Sequence, residues 1–456
     1  MKMRWFLLFL YELLQHLAFH VLRAFAPFLK SDKTERFVSS RLPRERKTAL
    51  ESAKKILKEH SERKKNIWVH VASAGELEQA IPPLRSLVEN NIANVFLTYY
   101  SPSTEPFLKN APFLSGHCSF PLDIEARHRN IINTLGITDI ILVRYELWPS
   151  LFAAAKAANI PVHLLGATTK PSRQRFHNWG GLFFKRFFFK QFSTIFTVSE
   201  SDSHLFREYY RASNVITAGD SKWARAKERA KNLRSQSPRL LWFFNWVVSV
   251  CNQRPIFVFG SPHKEEHDVA LQLAQHTKNQ FLIYVPHDCS EAHVSALHKQ
   301  FEQTPSHIVR FSQLNQNSLP QNIDVVIIDK IGFLAEIYSI ADAAVVGGGF
   351  DGQIHNTLEP AAHPVPTLFG SFVHKAPEAL TLLEKESAIG FDSAKDLLQF
   401  LLNNPNQTTN THNKRDYLLS LARENSSHLF DSVPNTGAII CDYFQSQCAK
   451  KGTLPP

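Results

Sequence analysis

The sequence predicts an α/β protein made of two similar halves, each a parallel sheet with helices on both faces. Three observations carry that expectation. Short apolar runs of strand length alternate with segments of helical periodicity along almost the whole chain. The alternation stops once, in a polar and basic stretch around 200–235 that ends in Ser-Gln-Ser-Pro at 235–238, and then resumes. A length of 456 residues favours two cores over one.

The first element is helical. From Trp5 to Phe28 the chain reads WFLLFLYELLQHLAFHVLRAFAPF, apolar but interrupted by Glu12, Gln15, His16, His20 and Arg23. A spanning helix needs about 20 predominantly apolar residues, and this one carries too many polar groups. Positions 12, 16, 20 and 23 recur at helical spacing and share one face, the pattern of an interfacial helix. A retained anchor is expected over a cleaved signal, because Glu12 breaks the apolar region and Pro27 would follow the cut at Ala24-Phe25-Ala26. The basic residues that follow, Lys30, Lys33, Arg36, Arg41, Arg44, Arg46 and Lys47, suit an anionic membrane face.

A charged helix is expected over 44–65. Strands are expected at 67–73, 94–100, 139–143, 161–167 and 194–199 in the first half. In the second they fall at 255–261, 281–286, 307–311, 324–329, 343–349 and 366–370. The net charge of +10 and the pI of about 9.3 predict attraction to polyanions. No nucleic-acid module is present, so membrane and phosphate remain. Five cysteines at 118, 251, 289, 441 and 448 form no C-x-x-C pair, which argues against a disulfide framework or a cysteine zinc site.

Ligands of open α/β sheets bind beyond the carboxyl ends of the strands, so those ends hold the candidates. Ser73 and Glu76 have the S-x-x-E spacing of a capping box, and Glu76 at a helix start is also placed to act as an ionised general base. Glu146 follows a strand, flanked by Arg144, Tyr145 and Trp148. It is open either to an ion pair within the loop or to a polar acceptor. Between 170 and 199 lie six Lys/Arg, eight Phe and no acidic residue, a composition for a lipid-like acceptor or for a core helix. Lys222 is expected in a loop before a basic helical run that either faces solvent or meets substrate phosphates.

In the second half, His263 and His267 are four apart, but Lys264 breaks the H-E-x-x-H metal pattern. His287 is a candidate phosphate donor, with a cap by Asp288 as the alternative. The most specific segment is VVGGGFDGQIHNTLEPAA. Its three glycines predict close approach of backbone to a ligand, with His355 beside it. A helix opening near Asn356 predicts free amides for phosphate, with Glu359 in its first turn to accept from ribose hydroxyls.

Taken in order, S-x-G-E, Y-E-L-W-P, G-D-x-K, G-S-x-H, V-P-H-D, D-x-I-G and G-G-G…H-N-x-L-E-P-A-A resemble the bacterial Kdo transferases. These attach 3-deoxy-D-manno-octulosonic acid (Kdo) to a lipid A precursor. The resemblance spans nearly the whole chain. It implies two Rossmann-like domains facing across a cleft, the GT-B arrangement, with an N-terminal membrane-associated helix. The implied divisions are an anchor at 1–30, an acceptor domain at 44–235, a CMP-sugar domain at 238–435, and a tail at 436–456 packing back on the first domain. It implies an inverting transfer from CMP-Kdo, with Glu76 as base and no metal or other cofactor. CMP would be held at Pro286 and His287, at Ile331, Gly332 and Phe333, and at Asn356, Thr357, Leu358 and Glu359. The implied partners are CMP-Kdo, the lipid A precursor and the anionic inner-membrane surface on its cytoplasmic side, with no nucleic acid. The chain departs from the commoner family pattern at three places. His287 replaces an Arg, Phe333 a Glu, and Gln353-Ile354 a glycine pair, which leaves backbone groups to make the CMP contacts there. Two other readings stay open: an enzyme of this fold acting on another nucleotide sugar, an epimerase included, and a non-catalytic lipid- or sugar-binding membrane protein.

Overall fold

The computed structural model describes residues 2–26, 37–39, 41, 43–144, 146–168, 185–236, 238–276, 280–402 and 410–452. It divides into two compact units. One comprises 1–224 with 434–456, the other 225–433. The division falls inside the helix Ser221–Gln236.

The first unit is built on seven parallel strands in the order β3-β2-β1-β4-β5-β6-β7. They run Lys65–Val71 (β1), Ala93–Tyr99 (β2), Gly116–Ser119 (β3), Asp139–Val143 (β4), Val162–Ala167 (β5), Thr194–Thr197 (β6) and Val215–Thr217 (β7). β2 and β4 are buried along their whole length, as strands covered on both faces must be. One core layer gathers Trp68, Phe96, Phe120, Leu142 and Leu164; the other gathers Val69, Leu77, Val95, Ile141 and Phe196. The helix Thr436–Gly452 belongs to this unit and adds Ile440, Cys441 and Phe444 to the second layer. The chain direction of strand addition reverses between β1 and β4, which pair directly. That reversal is where a crevice opens at the carboxyl ends.

The second unit repeats the plan with the order β10-β11-β9-β8-β12-β13-β14. Its strands are Ile256–Gly260 (β8), Phe281–Val285 (β9), Ile308–Arg310 (β10), Val325–Ile327 (β11), Ala343–Val346 (β12), Thr367–Gly370 (β13) and Ala388–Phe391 (β14). All pairings are parallel, and here the reversal lies between β8 and β12.

The first helix, Lys2–Phe25, half-buries Glu12, Gln15 and His16 of its polar side and leaves His20 and Arg23 exposed. The Glu12 carboxylate accepts the Glu125 backbone N–H at 2.8 Å, while Phe19 and Ala26 pack with Val38, Leu122 and Ile124. Phe9, Leu10, Leu13, Leu14, Leu17, Val21 and Phe25 are left exposed. Among the described residues, no helix is long and apolar enough to cross a membrane. Of the basic residues after this helix, Lys30, Lys33 and Arg36 lie outside the described residues. Arg41 is no surface charge: it is buried, with its guanidinium over the Phe37 ring and donating to the Tyr100 carbonyl at 2.8 Å. Arg46 is buried as well, whereas Lys47 is exposed.

Candidate active site

At the carboxyl end of β1 the chain passes through Ala72 and Ser73 into the helix Ala74–Glu89. Ser73 is the N-cap, its Oγ accepting the Glu76 N–H at 3.4 Å. The carboxylate of Glu76 does not complete a capping box on Ser73. It reaches one residue further back and accepts the Ala72 N–H at 2.6 Å. A charge-assisted bond this short fixes the side chain at the strand end. The helix start was expected to keep this group firmly ionised. Burial prevails instead and raises its pKa above the ordinary carboxylate value, against the opposing pull of the Ala72 N–H, Arg144 and the Ser73 N–H. A raised pKa makes Glu76 a stronger base.

Glu146 follows β4, the neighbouring strand. Arg144 stands between them with a left-handed backbone (φ 70°), which aims its side chain elsewhere. Its guanidinium donates to Gln79, on the Glu76 helix, and lies 3.6 Å from Asp220. The loop ion pair that the sequence allowed is therefore not made; Tyr145 lies outside the described residues. Glu146 faces the buried ring of His70, with Oε2 3.9 Å from Nε2. Its pKa is pushed up to about 7, first by burial and then by the charge of Glu76, with the Trp148 indole opposing. Two carboxyl groups thus feel each other at the reversal point of the sheet.

Lys222 is not in a loop. It sits in the first turn of the helix Ser221–Gln236, its N–H bonded to the Asp220 carboxylate at 3.0 Å. Through Asp220 that turn is tied to Arg144. Of the Phe-rich segment, residues 169–184 lie outside the described residues. The described part is core: Phe188, Phe189 and Phe192 pack with Phe152 and Phe206, and Phe187 is exposed.

In the second unit three imidazoles converge at the ends of three neighbouring strands. His263 follows β8, His287 follows β9 and His355 follows the loop after β12. The His355 ring centroid is 5.1 Å from that of His263 and 4.8 Å from that of His287. His267 is not part of this group; it bonds Tyr284 at 2.9 Å and Gln300 at 2.8 Å. Burial, then His263 and His287, lower the pKa of His355. Asp288 caps the following turn by accepting the Ser290 N–H, so the capping role holds for it while His287 remains exposed.

Glu266 organises this end and was missed from sequence. Wholly buried, it accepts the His263 N–H at 2.8 Å and the Gly348 N–H at 2.9 Å, stapling the two loops at the switch point together. Its signal was present as an acidic residue three after His263, the N3 position of a cap. The glycines answer to the protein's own backbone rather than to a ligand. A Cβ on Gly348 would meet the Gln353 carbonyl at 2.1 Å, and one on Gly349 the Gly370 carbonyl at 2.1 Å.

The helix expected at Asn356 runs only over Leu358–Ala362, and the Asn356 carboxamide already takes the Leu358 N–H at 3.0 Å. The free amides foreseen there are reduced accordingly. Thr357 is buried with its hydroxyl outside any hydrogen bond. Glu359 is in the first turn as expected, but Arg229 pairs with it at 2.7 Å, so a ribose hydroxyl would compete with that guanidinium. In the 331–333 turn Ile331 is 86% exposed and Gly332 has a left-handed φ of 93°. Phe333 is half-buried on Phe311, so this departure from the family pattern serves packing. Pro286 is buried.

Residues 41–225 match the family model of 3-deoxy-D-manno-octulosonic-acid transferases. The transferase of that name from Aquifex aeolicus is 27% identical over 332 residues, 72% of this chain and 81% of that protein. That of Rickettsia prowazekii is 27% identical over 80% of this chain and 78% of its own. The Haemophilus influenzae protein is 26% identical over 73% and 77%. The chain is thus similar to Kdo transferases over most of its length. Solved structures add a likeness of fold. A UDP-GlcNAc 2-epimerase from Neisseria meningitidis superposes with a TM-score of 0.56 at 12% identity, covering 84% of this chain and all of that one. A glycosyltransferase from Rickettsia africae gives 0.52 at 11% identity, over 84% and 98%.

Proposed function

We propose that the chain transfers Kdo from CMP-Kdo to a hydroxyl of a lipid A precursor, with inversion at the anomeric carbon and with Glu76 as general base. The observation that carries this reading is the Glu76 carboxylate itself, pinned by the Ala72 N–H at the carboxyl end of β1 and made more basic by burial. Similarity to the Kdo transferases supports Kdo as the sugar. Glu76 takes the acceptor proton as the hydroxyl oxygen bonds to the anomeric carbon. The bond from that carbon to the phosphate oxygen breaks, and CMP leaves with the electron pair. Charge builds on the phosphate as an oxocarbenium-like centre forms, so donors aimed at the phosphate lower the barrier. In the second unit the imidazoles of His263, His287 and His355 and the backbone of 331–333 and 356–359 are the groups offered to CMP. Arg144, held by Gln79 and Asp220, and Lys222 beside them are the cations offered to an anionic acceptor in the first unit. No reacting step needs a metal.

The acceptor is a lipid, and the first helix is suited to reach it. Seven large apolar residues face outward from a helix held to the protein through Glu12 and Phe19. Such a face binds in the plane of a membrane interface, here the anionic cytoplasmic leaflet of the inner membrane.

The test is incubation of the purified chain with CMP-Kdo and lipid A precursor, with the lipid product weighed by mass spectrometry and CMP release followed. Parent protein is expected to add the mass of Kdo, and Glu76→Gln to lose roughly 10²–10⁴-fold in rate. Full activity in Glu76→Gln removes it as the base; CMP release without a heavier lipid removes the transfer.

A further inference from the structure

His70 takes no part in the reaction as written, yet its surroundings fix its chemical state. It lies on β1, is fully buried, and its Nδ1 is 3.1 Å from the Thr98 carbonyl oxygen. A carbonyl can only accept, so Nδ1 carries the ring proton. The Thr98 hydroxyl is also 3.1 Å from Nδ1, but it takes the Trp68 indole N–H at 2.8 Å and leans on the Val69 carbonyl. Nε2 is therefore a bare acceptor. It is buried, bonds to nothing, and faces the Glu146 carboxyl at 3.9 Å. The Phe120 ring lies over the imidazole at 3.9 Å between centroids and Trp148 stands edge-on at 5.7 Å, which holds the ring in place. Burial drives the imidazole pKa down to about 3, so it stays neutral at working pH. The other ionisable groups around the pair are Glu76, Arg144 with Asp220, His128 with Asp123 at 2.7 Å, and Arg41 against Tyr100.

We propose that His70 is a positioning residue: its Nε2 accepts a hydrogen bond from the protonated carboxyl of Glu146, so that Glu146 stays neutral and Glu76 is the one carboxylate at the reversal point. Two neighbouring carboxyl groups do not both ionise cheaply, and an acceptor placed behind one of them decides which keeps the proton. The proposed bond requires the Glu146 side chain to close the 3.9 Å that now separates it from Nε2. The inference rests on Glu76 being the base.

Asparagine at position 70 reproduces the Nδ1 donor and lacks the acceptor; glutamine places an acceptor at the Nε2 position. The protonated-carboxyl infrared band of Glu146, assigned as the band missing from Glu146→Gln, is titrated in each protein. In the parent it is expected to titrate near pH 7, in His70→Asn about one unit lower, and in His70→Gln close to the parent. The upper limb of the kcat/KM profile for transfer follows the same order, falling about tenfold in His70→Asn just above neutrality with KM for CMP-Kdo unchanged, and is absent from Glu146→Gln. A Glu146 band that titrates below pH 5 in the parent overturns the proposal without any His70 variant. Equal midpoints in parent and His70→Asn overturn it too. The infrared titration needs no turnover, so its failure is distinct from failure of the transfer reading, which shows as a parent that makes no Kdo-bearing lipid.

Discussion

Glu146→Gln is expected to stabilise the protein at alkaline pH while leaving it unchanged at acid pH. The folded-state pKa of Glu146 is raised from the ordinary 4.5 to about 7. The folded chain therefore holds this proton more tightly than the unfolded chain does. Its stabilising contribution is complete below about 4.5 and disappears as pH climbs through about 7. At 1.36 kcal/mol per unit the full effect is about 3 kcal/mol. The side chain is 18% exposed, and water reaching it reduces that to roughly 2 kcal/mol. A glutamine of the same shape cannot ionise, so it escapes the loss. The assay is the urea midpoint of parent and variant at matched pH values from 4.5 to 8.5, read as the difference between the two curves. That difference should start near zero and open in favour of the variant through neutrality. A constant difference across the range, or a variant less stable at pH 8, would refute the claim that burial and Glu76 hold the proton on Glu146.

Glu266→Ala removes two charge-assisted bonds and strands the His263 and Gly348 N–H groups in a dry site. A loss of about 3–5 kcal/mol is expected by denaturation, with CMP binding by calorimetry lost in any fraction that stays folded. Gly349→Ala should abolish CMP binding with secondary structure retained by circular dichroism, because its Cβ would sit 2.1 Å from the Gly370 carbonyl and push the loop outward. Leu14→Glu with Leu17→Glu leaves the melting temperature unchanged, since both side chains are more than half exposed. It lowers co-sedimentation with anionic phospholipid vesicles at least about tenfold, and equal sedimentation would remove the interfacial role.

The fold was legible because strands buried on both faces have to be continuous apolar runs, and eleven such runs stood out. The three strands that did not, β3, β7 and β14, are short. β3 reads Gly-His-Cys-Ser, β7 is only Val-Ile-Thr, and β14 carries Gly390 in its middle. Their places are set by neighbours in the sheet rather than by their own composition. The site was legible where a chemical group follows a strand, as Glu76, Glu146, His263, His287 and His355 do. It was illegible where the decisive fact is what lies behind that group. Glycines at 348 and 349 read as room for a ligand, yet the room is filled by the carbonyls of Gln353, in the same segment, and of Gly370, beyond it, contacts visible only in space. His70 had a signal of its own kind: a polar residue inside a strand whose neighbours are all apolar must find a partner or stay neutral. It does both, with Thr98 on one nitrogen and the face of Glu146 before the other. A candidate base can be named from its spacing to a strand end, but which of two neighbouring carboxyl groups is pushed to hold a proton depends on burial and on the groups behind each of them, and that needs coordinates.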